Sequence, residues 1–148
     1  MSDLGNSLKG VLADTFSMYM QAHKYHFNVE GPDFLQYHDL FGKIYQDLWT
    51  SVDMTAEHIR ALDEYVPFNF ARLLELTTVE DDNKIPTAMG MIDRLLDTNN
   101  LVIGSLKKSV EQAKIANDEA VINYLGERLD AHAKHGWFLR SSTKKNRA

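Results

Sequence analysis

The chain has 148 residues, 44% hydrophobic and 25% charged, with 16 basic against 21 acidic side chains and a net charge of −5, the size and make-up of a single globular domain. Cysteine is absent, which excludes disulfide scaffolds, thiol nucleophiles, zinc fingers and iron–sulfur clusters, leaves any metal to His, Asp and Glu, and fits a reducing cytoplasm. No stretch approaches the ~18 apolar residues of a membrane span, the N-terminus lacks the basic start and apolar run of a secretory signal, and the acidic balance opposes a broad electrostatic grip on nucleic acid. The expectation is a cytoplasmic protein with no membrane role.

Apolar residues recur at helical spacing and nowhere alternate long enough for a strand, so the class is all-α. A first helix spans roughly 4–27, with Leu8, Val11, Leu12, Thr15, Phe16, Tyr19 and His23 on one face. Gly31-Pro32 interrupts it, and Pro32-Asp33 opens a second helix over about 33–65 carrying Phe34, His38, Phe41, Tyr45, Leu48, Val52, Ala56, Ile59, Asp63 and Val66. Pro67 stops that helix. Residues 67–84 form a long connection in which Phe70–Leu76 reads as a short helix. A third helix starts near Pro86 with Met89, Ile92, Leu95, Leu96, Val102, Ile103, Leu106, Val110 and Ala113. Asn117 is the N-cap of a fourth, reaching about 141, with Ile122, Leu125, Leu129, His132 and Gly136 on its packed face. A polar tail from about 142 is expected to be mobile. Two helices, a long crossover holding a short helix, then two more helices make a four-helix bundle of ferritin-like outline, one domain over 1–148.

Two clusters could carry chemistry. Asp53 and Glu57 lie four apart on the second helix, so their side chains stand one above the other. Such a pair is by itself an ordinary solvated face, here with Arg60 as a nearby partner. At about 100° per residue, however, the two lie roughly 100° and 140° from the stripe centre at Val52 and point away from the chain's own core. His26 ends the first helix and His38 opens the second, and the turn between can bring their imidazoles close. From His38 to Asp53 is about 22 Å along a straight helix, whereas metal ligands sit near 2 Å. One chain therefore cannot gather all four, but two can: if the second helix pairs antiparallel with its copy about a two-fold axis near Tyr45 and Gln46, His38 of one chain meets Asp53 of the other. Two imidazoles and two carboxylates suit iron(II) or zinc and leave open positions for an oxidant.

The stretch His26-Phe27-Asn28-Val29-Glu30-Gly31-Pro32-Asp33-Phe34, followed by His38, Phe41, Tyr45, Asp53, Ala56, Glu57 and Ile59, resembles the Dps family of mini-ferritins, with weaker similarity over about residues 8–140, including Leu73-Leu74-Glu75-Leu76 and Lys134-His135-Gly136-Trp137-Phe138-Leu139-Arg140. The resemblance implies a four-helix subunit assembled into a hollow homododecamer with ferroxidase centres at two-fold interfaces, His26 and His38 from one subunit and Asp53 and Glu57 from its partner. It implies oxidation of iron(II), at one or two metal positions, by hydrogen peroxide in preference to oxygen, and storage of iron(III) mineral inside the shell, with zinc able to occupy the same donors. Two irons supplying both electrons to one peroxide avoid the one-electron step that makes hydroxyl radical. Trp49, near the site on the same helix, reads first as a packing residue, with interception of stray oxidants as the alternative role.

The sequence also departs from the pattern. Phe27 stands where many members have Trp, Ala133 where Glu often precedes the Lys-His pair, and Asn123 where a further carboxylate commonly lines the acidic pore that Asp118 would begin. DNA binding is the weakest implication, since the first ten residues hold only Lys9; Lys144, Lys145 and Arg147 could give salt-sensitive avidity when repeated around a shell. The rival readings are a DNA-associated or structural shell with little ferroxidase activity, and a di-iron centre inside one subunit, which would need paired Glu-x-x-His motifs that are missing. The pairs His23/His26 and His132/His135 could take adventitious zinc or copper, and the methionines are read as core rather than haem ligands.

Overall fold

The computed structural model describes residues 2–81 and 83–144. Among them are five helices and no strand: α1 (Asp3–Asn28), α2 (Phe34–Ala61), the short α3 (Phe70–Leu76), α4 (Ala88–Ile115) and α5 (Glu119–Thr143). Four of the five begin where a side-chain oxygen can take up an orphan N–H. Ser2 and Asn69 accept from Gly5 and Arg72 at 2.9 Å, and Thr87 and Asp118 from Gly90 and Val121 at 3.1 Å. Asp33 makes no such bond. The turn before α2 is closed instead by the Phe34 N–H donating to the Gly31 carbonyl, with Gly31 at a φ of 124° that favours glycine.

Leu8, Leu12 and Met18 of α1, Phe41, Leu48 and Ile59 of α2, Ile92, Leu95 and Leu106 of α4 and Leu125 of α5 meet in one buried core. Each such side chain contributes on the order of 1.5–3 kcal/mol by leaving water. α1 packs along both α2 and α4, α4 along α5, and α2 touches α5 only lightly. The crossover is fastened by Asp14, which is 1% exposed. Its carboxylate accepts from the Thr77 hydroxyl at 2.9 Å, the Thr78 N–H at 2.7 Å and the Thr78 hydroxyl at 3.0 Å, and also from Ser105 of α4. One buried charge thus ties α1, the end of α3 and α4 together.

The expected elements are present, with three boundaries displaced. α2 ends at Ala61 and not near Pro67, because Asp63 turns the chain at a left-handed φ of 61°, its N–H donating to Arg60. The next residue, Glu64, is then held against the start of α1 by Ser2 Oγ at 2.7 Å and Lys9 Nζ at 3.1 Å. That contact explains Gly5, where any Cβ would run into the Glu64 carboxylate. Asn117 is not the cap of the last helix: at φ 53° it closes α4, donating to Lys114 while Asp118 N–H reaches back to Ala113, and Asp118 takes the capping role. Asn tolerates the left-handed conformation better than most residues, so the same polar signal served the helix before it. Finally α5 continues through Thr143, so the expected tail from about 142 begins in helix; Lys145 and Arg147 lie outside the described residues.

Candidate metal centre

The antiparallel α1–α2 hairpin lays His26, in the last turn of α1, against His38, in the second turn of α2. Their rings stack with centroids 3.7 Å apart and planes at 21°. His26 Nδ1 lies 2.8 Å from the His38 carbonyl and His38 Nδ1 lies 2.7 Å from the His26 carbonyl. A carbonyl only accepts, so each Nδ1 carries its proton and donates, which leaves the lone pair of each Nε2 unused. Metal-binding imidazoles are oriented in this way, by a second hydrogen bond that fixes the tautomer. Gly42 makes room, since a Cβ there would stand 3.2 Å from two atoms of the His26 ring.

A belt of aromatic rings surrounds the pair. Phe34, half exposed and not buried as its place in the α2 stripe suggested, stacks on His38 at 5.1 Å. His23 is sandwiched between Tyr45, at 3.9 Å and 7°, and Phe27, at 4.4 Å and 20°. Its Nδ1 is 2.9 Å from the Tyr19 hydroxyl. Burial pushes the His23 pKa down, and the neighbouring His26 adds to the shift. Trp49 packs on Tyr19 at 5.0 Å while staying 55% exposed.

Asp53 and Glu57 stand exposed on α2, off its buried stripe. Arg60, expected beside them, instead donates to the Glu64 carbonyl at 2.8 Å and lies over the Tyr65 ring. α2 is one unbroken helix between His38 and Asp53, so the two are about 22 Å apart along it. Among the described residues no three His, Asp or Glu side chains of one chain converge on a common ion position. The structure therefore brings His26 and His38 together and leaves the carboxylates apart, exposed farther along α2.

The second His pair is closed. Asp47 of α2 accepts from Arg128 at 3.0 and 2.8 Å and from His135 Nε2 at 2.7 Å. Partial burial pulls the Asp47 carboxyl up, but these hydrogen bonds and the Arg128 charge outweigh it and hold the carboxyl well below the usual range. His132 donates from Nδ1 to Asn99 at 2.8 Å, and Asn99 donates back to the His132 carbonyl at 2.9 Å. Burial pushes the His132 pKa down to about 3, with the Arg128 and His135 charges adding to the effect. Both nitrogens of His132 are engaged, Nε2 lying 3.4 Å from Arg128, and the Nε2 of His135 is committed to Asp47. None of these partners was identifiable beforehand, because Asp47 and Arg128 are 81 residues apart; nor were Gly42 and the Tyr19–His23 bond, whose only sequence signal was helical spacing.

A ferritin-like domain model matches residues 6–147. The chain is 28% identical to the DNA protection during starvation protein 2 of Bacillus anthracis over 88% of this chain and 89% of that one. The solved structure of Dps from Thermosynechococcus elongatus superposes with a TM-score of 0.93 at 27% identity, covering 97% of this chain and 91% of that one. The Dps protein from Vibrio cholerae O1, described as a member of a broad superfamily of ferritin-like diiron-carboxylate proteins, gives 0.91 at 25% identity, covering 95% and 89%. No helix among the described residues is long and apolar enough to cross a membrane. With the domain match spanning nearly the whole chain and Dps structures superposing over most of it, the chain belongs to the ferritin-like family, as a Dps mini-ferritin.

Proposed function

We propose that this protein binds iron(II) at a site shared between two copies of the chain, oxidises it with hydrogen peroxide or oxygen, and keeps the iron(III) as mineral inside a hollow dodecamer in the cytoplasm, so protecting the cell from oxidative damage. The observation that carries the reading is the reciprocal His26–His38 arrangement, which fixes both tautomers and leaves both Nε2 atoms for a metal. Asp53 and Glu57, exposed farther along α2, supply the carboxylates when α2 crosses its copy antiparallel. Exposed Phe27, Trp49, Phe70 and Leu74 provide apolar area for such an interface.

Two imidazoles and two carboxylates suit iron(II), and zinc would occupy the same donors. With peroxide, two iron(II) ions each give one electron, the O–O bond breaks, and two protons complete two waters; hydrolysis of the iron(III) then releases protons as mineral grows. The test is anaerobic iron(II) loading followed by peroxide, with absorbance and sedimentation recorded together. A soluble iron core in a particle of about twelve chains supports the reading. A twelve-chain particle that does not oxidise iron favours a DNA-associated or structural shell, and a small oligomer removes the shared site.

A further inference from the structure

We propose that His23 is a third imidazole of this centre, and that its Nε2 binds a second iron(II) beside the one held through His26. The inference rests on the shared-site reading and deepens it. Three features set His23 apart from a packing histidine. Its Nδ1 is engaged by the Tyr19 hydroxyl at 2.9 Å, as the Nδ1 atoms of His26 and His38 are engaged by carbonyls; a hydroxyl both donates and accepts, so the ring is free to take the tautomer in which Nδ1–H donates to Tyr19. Its ring is fixed between Tyr45 and Phe27, so the direction of Nε2 is set before any ion arrives. It also stands one helical turn from His26 on the same face of α1, with ring centroids 5.9 Å apart.

Two-metal centres place their ions about 3.5–4 Å apart, a spacing that neighbouring imidazoles 5.9 Å between centroids can serve with one ring each. For that, Nδ1–H of His23 donates to the Tyr19 oxygen, the tautomer that frees Nε2. Each ion then draws nitrogen from one chain and oxygen from the Asp53 and Glu57 of its copy, consistent with the lack of convergence of three donors within the described residues of one chain. A second iron at this position lets both electrons reach one peroxide together, the requirement that a single bound ion does not meet.

The experiment is an anaerobic titration of the assembled protein with cobalt(II), followed by calorimetry and by the visible spectrum of the bound ion, with no turnover involved. Wild type is expected to bind about two ions per chain in two phases. His23→Phe keeps an aromatic ring in the stack and should lose the second phase while retaining the first. Tyr19→Phe, which removes only the partner of Nδ1, should weaken the second phase by roughly 10–100-fold and leave the first in place. Two undiminished phases in His23→Phe, or a single phase in wild type, would overturn the assignment of His23 while leaving the shared site standing. Loss of all binding in His26→Phe identifies that site, and wild type that binds no cobalt would overturn both readings.

Discussion

Two histidine clusters sit on opposite sides of α2, and they differ in whether their polar atoms are finished. In the cluster of Asp47, Arg128, His132, His135 and Asn99, carboxylate, guanidinium, imidazole and amide satisfy one another across α2, α4 and α5. In the cluster of His23, His26 and His38, each ring is fixed through Nδ1 and stops there. A buried polar network that closes on itself specifies packing. One that is oriented but left open is prepared for something the chain does not contain. The lesson is that the count of histidines says little, while the partner of the engaged nitrogen separates the two: side chains of other helices hold His132 and His135, main-chain carbonyls orient His26 and His38.

The sharpest way to break this contrast is to remove the carboxylates proposed to complete the open site. Asp53→Ala with Glu57→Ala should abolish rapid iron oxidation in stopped-flow absorbance, yet change stability by no more than about 0.5 kcal/mol, because both carboxylates are exposed. The reverse pattern is expected in the closed cluster. Arg128→Ala leaves Asp47 partly buried with one partner fewer and should cost about 2–3 kcal/mol in a denaturant melt, a discounted value because Asp47 keeps about a third of its side chain exposed, while assembled shells oxidise iron at the wild-type rate.

Acid sharpens the comparison further. The folded pKa of His132 is about 3, below its ordinary 6.5, so the unfolded chain binds a proton that the folded one refuses between those values. Stability must therefore fall as pH drops below about 6.5, by at most about 1.4 kcal/mol per pH unit for this group. Asp47, held below the usual carboxylate range, adds its share only at still lower pH, as its stabilisation is lost on protonation. Thermal melts from pH 7 down to about 2 check both, and Asn99→Leu, which removes the His132 partner, should reshape the upper part of that curve. The smallest effect is assigned to Trp49→Phe, which should keep the initial oxidation rate, since Trp49 touches the belt only through Tyr19.

Much of this was legible in the chain itself. The 3,4 spacing of apolar residues located the four long helices among the described residues, and the apolar run Phe70–Leu76 located the short one inside the crossover. The spacing of His26 and His38 pointed to the pair that the structure brings together, while the helix rise is the argument for seeking the carboxylates on a second chain. Helix ends were less legible because left-handed residues decide them: Asp63 cuts α2 short under the pull of Glu64 on Ser2 and Lys9, and Asn117 terminates one helix where it looked like the start of another. The closed cluster could not be anticipated, since Asp47 and His135 meet only through tertiary packing of α2 on α5. For the same reason His23 read as part of an apolar stripe and, with His26, as a pair for an adventitious ion, while the two rings that stack on it were not legible.

The central claim, that the open cluster is one half of a centre completed by another copy, is tested most directly by complementation. Chains carrying His26→Phe and His38→Phe are co-assembled with chains carrying Asp53→Ala and Glu57→Ala, and iron(II) oxidation is measured on purified mixed shells. Each variant alone should be inactive. In a mixed two-fold pair one site inherits both defects and the other inherits none, so random mixing should restore about a quarter of the sites. Mixed shells that form and remain inactive would contradict a site shared between chains.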